Sequence, residues 1–321
     1  MDKFIIEGGT PLKGEVKISG AKNAVLPIMT ATIISPGEYR LNNVPELRDT
    51  FTMKRLLELV GATVHYEDNT MDIDTTHCDT PVAPYDLVKT MRASFYVLGP
   101  FLSRFKYAEV SLPGGCAWGP RPVNYHLQAM EALGAEVTLS GGMIIAKGNL
   151  KGATINFKQS SVGATGNAVM AAVNSEGTTN IINAAQEPEI EALCIFLNKM
   201  GAEIKGVGTN ELIIYGKQNL HAGIEYTIIP DRIEAGTFLI AGAITGGKIT
   251  IVNADPSHIE IVLKYLQEAG CDLDIKKNTV QINMRNNSIK PINMTTEVYP
   301  GFPTDLQAQW MALMTKADGQ S

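Results

Sequence analysis

The stretch LLELVGATVHYEDNTMDID, Leu56–Asp74, reads as the end of a helix closing at Gly61, then a strand, a tight turn and a second strand. The same order returns three times: MEALGAEVTLSGGMIIAKG at 130–148, FLNKMGAEIKGVGTNELIIYG at 196–216 and YLQEAGCDLDIKKNTVQIN at 265–283. The helix-ending glycines, Gly61, Gly134, Gly201 and Gly270, stand 73, 67 and 69 residues apart. A spacing of this size marks a repeated supersecondary unit and is too long for ankyrin or leucine-rich solenoid repeats. Glycine suits the position because the residue that ends a helix before a turn commonly takes left-handed backbone. Met53, Leu56, Leu57 and Val60 fall on one helical face, as do Ile259, Val262, Leu263 and Leu266. Val280, Ile282 and Met284 alternate as a half-buried strand should. Ser257 with Glu260, and Thr304 with Gln307, have the spacing of capping boxes and predict two helix starts.

A second element keeps the same phase. GEYRLNN (Gly37–Asn43), GTTNIIN (Gly177–Asn183) and GKITIVN (Gly247–Asn253) each follow an apolar helix, with six residues from Gly to Asn. The remaining copy falls at 106–113, where KYAEVSLP supplies the strand without the glycine. Together the elements give a module in β-α-β-α-β-β order, a sheet with helices on one side, of α/β class. The last segment, TDLQAQWMALMTKADGQS at 304–321, reads as a fifth apolar helix, and Gly319 stands 72 residues after Gly247. The expectation is that the chain stops inside a module.

Composition excludes several classes. Hydrophobic residues at 45% and charged residues at 19% belong to a folded protein with a core. A net charge of −6 without a Lys/Arg run disfavours nucleic acid and anionic membrane as partners. The longest apolar stretches, around 24–34 and 95–102, are too short to span a bilayer, and MDKFIIEGG does not read as a signal peptide. Cys78, Cys116, Cys194 and Cys271 are scattered singly, which argues against zinc and disulfides and for a reducing cytoplasm. His65, His77, His126, His221 and His258 show neither metal nor triad spacing, and no P-loop or G-x-G-x-x-G occurs. No metal or cofactor is expected.

Counting back fifteen residues from the module glycines Gly37, Gly177, Gly247 and Gly319 gives Lys22, Val162, Arg232 and Thr304; the glycine-less module gives Arg92 from position 107. All sit where apolar helices begin. A single cation at a helix end is commonly decoration. Five equivalent helix N-termini, three with Lys or Arg, suit an anionic ligand with several phosphates or carboxylates. The loop LPGGCAWGPRPVN, 112–124, surrounds Cys116 with glycines and prolines, a lid-like composition. Arg121 lies five residues on, and a thiol near it would act as acid or nucleophile. Asp305 reads equally as a first-turn acid favoured by the helix dipole or as a general base.

SGAKNA, MRASFYVLGP, LPGGCAWGPRPV, SVGAT, PDRIEAGTF and FPTDLQAQ, in this order and spacing, closely resemble the UDP-N-acetylglucosamine 1-carboxyvinyltransferases, a family of enolpyruvyl transferases related to EPSP synthase. The likeness covers essentially the whole chain. It implies two inside-out α/β barrels of three β-α-β-α-β-β modules each, with the active site in the cleft between them. The first domain would be 21–229; the second, incomplete here, would be 1–20 plus 230–321. The implied substrates are phosphoenolpyruvate and UDP-N-acetylglucosamine. Carried over by residue, Lys22 and Asn23 match phosphoenolpyruvate ligands, and Cys116 the acid that protonates its methylene and is alkylated by fosfomycin. Arg92, Arg121, Pro122, Val123, Asn124 and Tyr125 match contacts to the sugar nucleotide or phosphate. Ser161, Val162 and Gly163 match the diphosphate stretch, and Asp305 the base for the sugar 3-hydroxyl. Three positions depart from the common pattern: Lys158-Gln159-Ser160-Ser161 for Lys-x-Ser, Asn124 for Asp, and Trp118 in the loop. A binding protein without turnover and a shikimate-type synthase are the alternatives, and the cysteine loop weighs against the second.

Overall fold

A computed structural model of the chain describes residues 3–89, 91–112, 123–217, 219–284 and 288–321. The chain forms two compact units, Gly20–Ile229, and Met1–Ser19 with Pro230–Ser321. Among the described residues, four sheets of four strands share one order. In each, an edge strand runs parallel to a central strand, which pairs antiparallel with the second strand of a hairpin whose first strand forms the other edge. The Gly20–Ile229 unit holds three of them. The first orders Ile224–Thr227, Glu38–Asn42, Thr70–Asp74 and Thr63–Glu67. The second orders Val82–Ala83, Tyr107–Ser111, Met143–Lys147 and Glu136–Ser140. The third orders Thr154–Asn156, Thr178–Ile182, Glu211–Tyr215 and Glu203–Lys205. The other unit orders Lys13–Lys17, Lys248–Val252, Thr279–Asn283 and Asp272–Lys276.

Two helices are buried all round, while the sheets keep one face wet. Helix Lys22–Ala31 buries every residue from Ala24 on, and helix Val162–Ala172 every residue from Ala164 on. Sheet strands alternate instead: Glu38–Asn42 buries Tyr39 and Leu41 and exposes Glu38 and Arg40. A helix apolar all round belongs in a core, whereas alternation belongs to a sheet wet on one face. The three faces read from sequence are buried: Met53, Leu56, Leu57 and Val60; Ile259, Val262, Leu263 and Leu266; and Val280, Ile282 and Met284. The repeat glycines Gly61, Gly134, Gly201 and Gly270 have φ of 107°, 91°, 97° and 96°, so a side chain there would be strained.

The repeated asparagine has an equally local cause. Asn43, Asn183 and Asn253 all have left-handed backbone, with φ of 57°, 57° and 55°. Their side-chain amides donate to the carbonyls of Ile228, Phe157 and Ile18, each at 2.9 Å. Each of those carbonyls belongs to the residue just past a parallel edge strand. The next residues, Val44, Ala184 and Ala254, donate to the hairpin turns at Asn69, Asn210 and Asn278. One residue type therefore turns the chain and ties three strands together. Asn183→Ala is expected to destabilise by about 1–2 kcal/mol, because it loses both the hydrogen bond and the tolerance for positive φ. Asn183→Gly should lose less, since glycine keeps the turn; urea unfolding of the pair separates the two contributions.

Two helix starts differ from the capping boxes read in the sequence. At 257–260, Asp255 is the cap: its Oδ1 accepts from Ser257 N at 3.0 Å and from Ser257 Oγ at 2.6 Å. A carboxylate outcompetes a hydroxyl as acceptor, and a 3-10 turn, Pro256–Ile259, precedes the α-helix at Glu260. At 304–307 the chain also begins as a 3-10 turn, Thr304–Leu306, with no side-chain cap. Its tighter winding breaks the spacing that a capping box needs. Among the described residues no helix is long and apolar enough to cross a membrane.

Candidate active site

The five positions obtained by counting back from module glycines are the first residues of five helical elements. These are Lys22–Ala31, the 3-10 turn Arg92–Val97, Val162–Ala172, Arg232–Ile244 and the 3-10 turn Thr304–Leu306. Each is entered from extended backbone, at Ala21, Met91, Ser161, Asp231 and Pro303. The caps differ chemically. Asp231 Oδ1 accepts from Ile233 N and Glu234 N at 2.9 and 3.0 Å. Ser161 Oγ accepts weakly from Ala164 N at 3.4 Å. Ala21, Met91 and Pro303 provide no side-chain acceptor. At such starts the first amide N–H groups and the helix dipole favour an anion from outside.

In the Gly20–Ile229 unit, three of these starts belong to central elements that pack together. Thr30 and Met170 touch, Oγ1 to Sδ at 3.6 Å, and each is the ninth residue of its helix. Asn167 reaches from helix Val162–Ala172 to Phe95 O at 3.0 Å and Gly99 N at 2.8 Å, bridging to the element that Arg92 opens. Lys22 Nζ lies 3.4 Å from Asp49 Oδ2, and Asp49 is in the first turn of helix Arg48–Val60. Asn23 is half-buried beside it. Val123 caps helix Asn124–Ala132. From that helix Tyr125 packs edge-on against Phe157 at 5.9 Å, and His126 packs against Phe95 at 4.9 Å. Asn124 is exposed, and Ser161, Val162 and Gly163 are half-buried. Asn124, Tyr125 and the 161–163 stretch are thus carried on two adjoining helices. Lys158 is exposed just past strand Thr154–Asn156.

In the other unit, Asp305 is exposed in the 3-10 turn Thr304–Leu306, whose Leu306 is buried. Arg232 lies over the Tyr299 ring at 5.5 Å. Cys116, Arg121 and Pro122 lie outside the described residues, as does the side chain of Arg92. The other three cysteines are buried. Desolvation pushes the Cys78 thiol up to about 11, and the Cys194 and Cys271 thiols up to about 12. All three stay protonated and unreactive near neutrality.

The family model described as EPSP synthase (3-phosphoshikimate 1-carboxyvinyltransferase) matches residues 6–321. The chain belongs to the EPSP synthase family. Within that family its relatives include the UDP-N-acetylglucosamine 1-carboxyvinyltransferase of Chlorobium luteolum, 54% identical over all of this chain and 76% of the relative. The protein of that name from Campylobacter hominis is 48% identical over all of this chain and 77% of the relative. Among solved structures, the enolpyruvyl transferase NikO from Streptomyces tendae superposes with a TM-score of 0.87 at 24% identity, covering 98% of this chain and 75% of that one. An EPSP synthase from Acinetobacter baumannii gives 0.69 at 18% identity, over 91% and 68%. These two establish the EPSP synthase fold, two units of mixed α/β modules.

Sequence reasoning did not single out Asp49 or Asn167 in this EPSP synthase family member. Asp49 looks in sequence like any first-turn acid. Asn167 sits in a helix of mostly small apolar residues, where a buried amide was the available signal.

Proposed function

We propose that the protein transfers the enolpyruvyl group of phosphoenolpyruvate to the 3-hydroxyl of UDP-N-acetylglucosamine and releases phosphate. The observation that carries this reading is identity of 48–54% across the whole chain to proteins named for that reaction. The helix starts without side-chain caps at Lys22 and Arg92 fit anionic substrates, and no catalytic metal is invoked.

In this scheme Asp305 takes the proton of the sugar hydroxyl as its oxygen bonds to C2 of phosphoenolpyruvate. The Cys116 thiol protonates C3, giving a tetrahedral ketal. The bond from C2 to the phosphate oxygen then breaks, Asp305 passes its proton to the departing phosphate, and C3 returns a proton to the thiolate, which restores the double bond, the base and the acid. Lys22, Asn23, Arg92 and Arg121 hold phosphoenolpyruvate and its leaving phosphate. Pro122, Val123, Asn124 and Tyr125 flank the nucleotide, and Ser161, Val162 and Gly163 offer a helix N-terminus to its diphosphate. The Gly-rich loop around Cys116 shuts out water. The product is a peptidoglycan precursor, made in the cytoplasm where phosphoenolpyruvate is available, and fosfomycin would alkylate Cys116.

Phosphate release from phosphoenolpyruvate is expected to require UDP-N-acetylglucosamine and not to respond to shikimate 3-phosphate. Release driven by shikimate 3-phosphate would reverse the assignment of the acceptor. Binding of the sugar nucleotide by calorimetry, with neither phosphate nor ketal formed, would favour a protein that binds without turnover.

A further inference from the structure

We propose that Asp49 is a positioning residue for phosphoenolpyruvate, acting through Lys22, whose ammonium it holds at the start of helix Lys22–Ala31. This rests on the reading that Lys22 binds phosphoenolpyruvate.

By local rules Lys22 stands in an unfavourable place. It is the first residue of its helix, where the dipole is positive and an acid is preferred. That first turn holds no acid, and Ala21 before it offers no side-chain acceptor. The negative charge comes instead from a neighbouring helix. Asp49 lies in the first turn of helix Arg48–Val60, and its Oδ2 is 3.4 Å from Lys22 Nζ. The two helices pack against each other. Ala24 and Val25 are buried on one, and Thr50, Thr52 and Met53 on the other, so the core anchors both first turns. The carboxylate therefore stands on a fixed backbone at the end of a short side chain. An ammonium on a flexible four-carbon stem has many places to go, and this carboxylate confines it to one.

The pair is open to a ligand, with the Lys22 side chain 42% exposed and that of Asp49 32%. An ion pair so exposed adds little to stability, so stability is a poor reason for it. An acid serving only the dipole of its own helix would need no cation across an interface. Lys22 has other contacts as well, and an ammonium with three N–H donors keeps them while Asp49 sets its place. An anion arriving at Lys22 meets a charge already in position, and less side-chain freedom is lost on binding.

The test uses the full chain and steady-state phosphate release. Asp49→Asn keeps the shape and removes the charge. It is expected to raise KM for phosphoenolpyruvate about fivefold, the most that a partly exposed ion pair contributes. KM for UDP-N-acetylglucosamine should stay as it is, and the urea midpoint should hardly move. Asp49→Glu, which keeps the charge, should bring KM for phosphoenolpyruvate most of the way back. An unchanged KM for phosphoenolpyruvate in Asp49→Asn would show the carboxylate to be idle, and a lower one would show it to compete with the anion. Either result overturns the proposal and leaves the assigned reaction standing. Equal rises in both KM values with a lowered urea midpoint would mark a purely structural acid and overturn it too. Failure of the wild type to release phosphate from phosphoenolpyruvate with UDP-N-acetylglucosamine would instead overturn the assigned reaction, and the present proposal with it.

Discussion

Replacing Cys116 with alanine is expected to lower phosphate release in the presence of UDP-N-acetylglucosamine by about 10²–10⁴-fold, the usual share of a positioned general acid. Binding of the sugar nucleotide should change little, because the thiol acts on C3 of phosphoenolpyruvate and not on the nucleotide. Cys116→Asp should recover much of the rate, since a carboxylic acid also donates a proton. Its pH profile is expected to move downward. A free thiol keeps its proton to about pH 8.5, a carboxyl only to about 4, so the aspartate variant loses its acid form as pH rises. A steady-state rate in Cys116→Ala equal to wild type would remove the thiol from the mechanism. So would an aspartate variant with an unshifted profile.

Gly99→Ala is expected to cost about 3 kcal/mol, seen as a lower urea midpoint with unchanged slope. An added Cβ would stand 2.4 Å from Asn167 O and 3.1 Å from its Oδ1. The first of these atoms is helix backbone and cannot swing aside, so the two helices must separate. Separation would also stretch the Gly99 N to Asn167 Oδ1 bond. Gly8→Ala is the control, since nothing lies within 4 Å of its added carbon. Equal midpoints for the two variants would mean that the helices tolerate the extra carbon.

Much of the architecture was legible because the modules repeat. Gly61, Gly134, Gly201 and Gly270 recur for one backbone reason, and Lys22, Arg92, Val162, Arg232 and Thr304 were placed at helix starts by counting alone. The capping boxes at Ser257 and Thr304 misled, because short spacing rules assume an α-helical first turn and both segments begin as 3-10 turns. The pairing of Lys22 with Asp49 and the bridge from Asn167 to Phe95 and Gly99 were not legible. Each joins residues from different elements, and no period in the sequence encodes which side chains meet across a packed interior. The family motifs carried the substrate reading, where periodicity alone reached only an anionic ligand.

The parallel edge strands next to the unit boundaries have a topological consequence. Strand Ile224–Thr227 closes a sheet begun by Glu38–Asn42, so the Gly20–Ile229 unit starts and finishes at one place, with Ala21 N bonded to Ile229 O at 2.7 Å. In the other unit Asp231 N bonds to Ser19 O at 2.9 Å. Cutting the polypeptide at those two points would free one piece fit for ring closure and leave another that a short splice could reseal. A unit whose ends meet in this way can be inserted into a chain without rethreading either half.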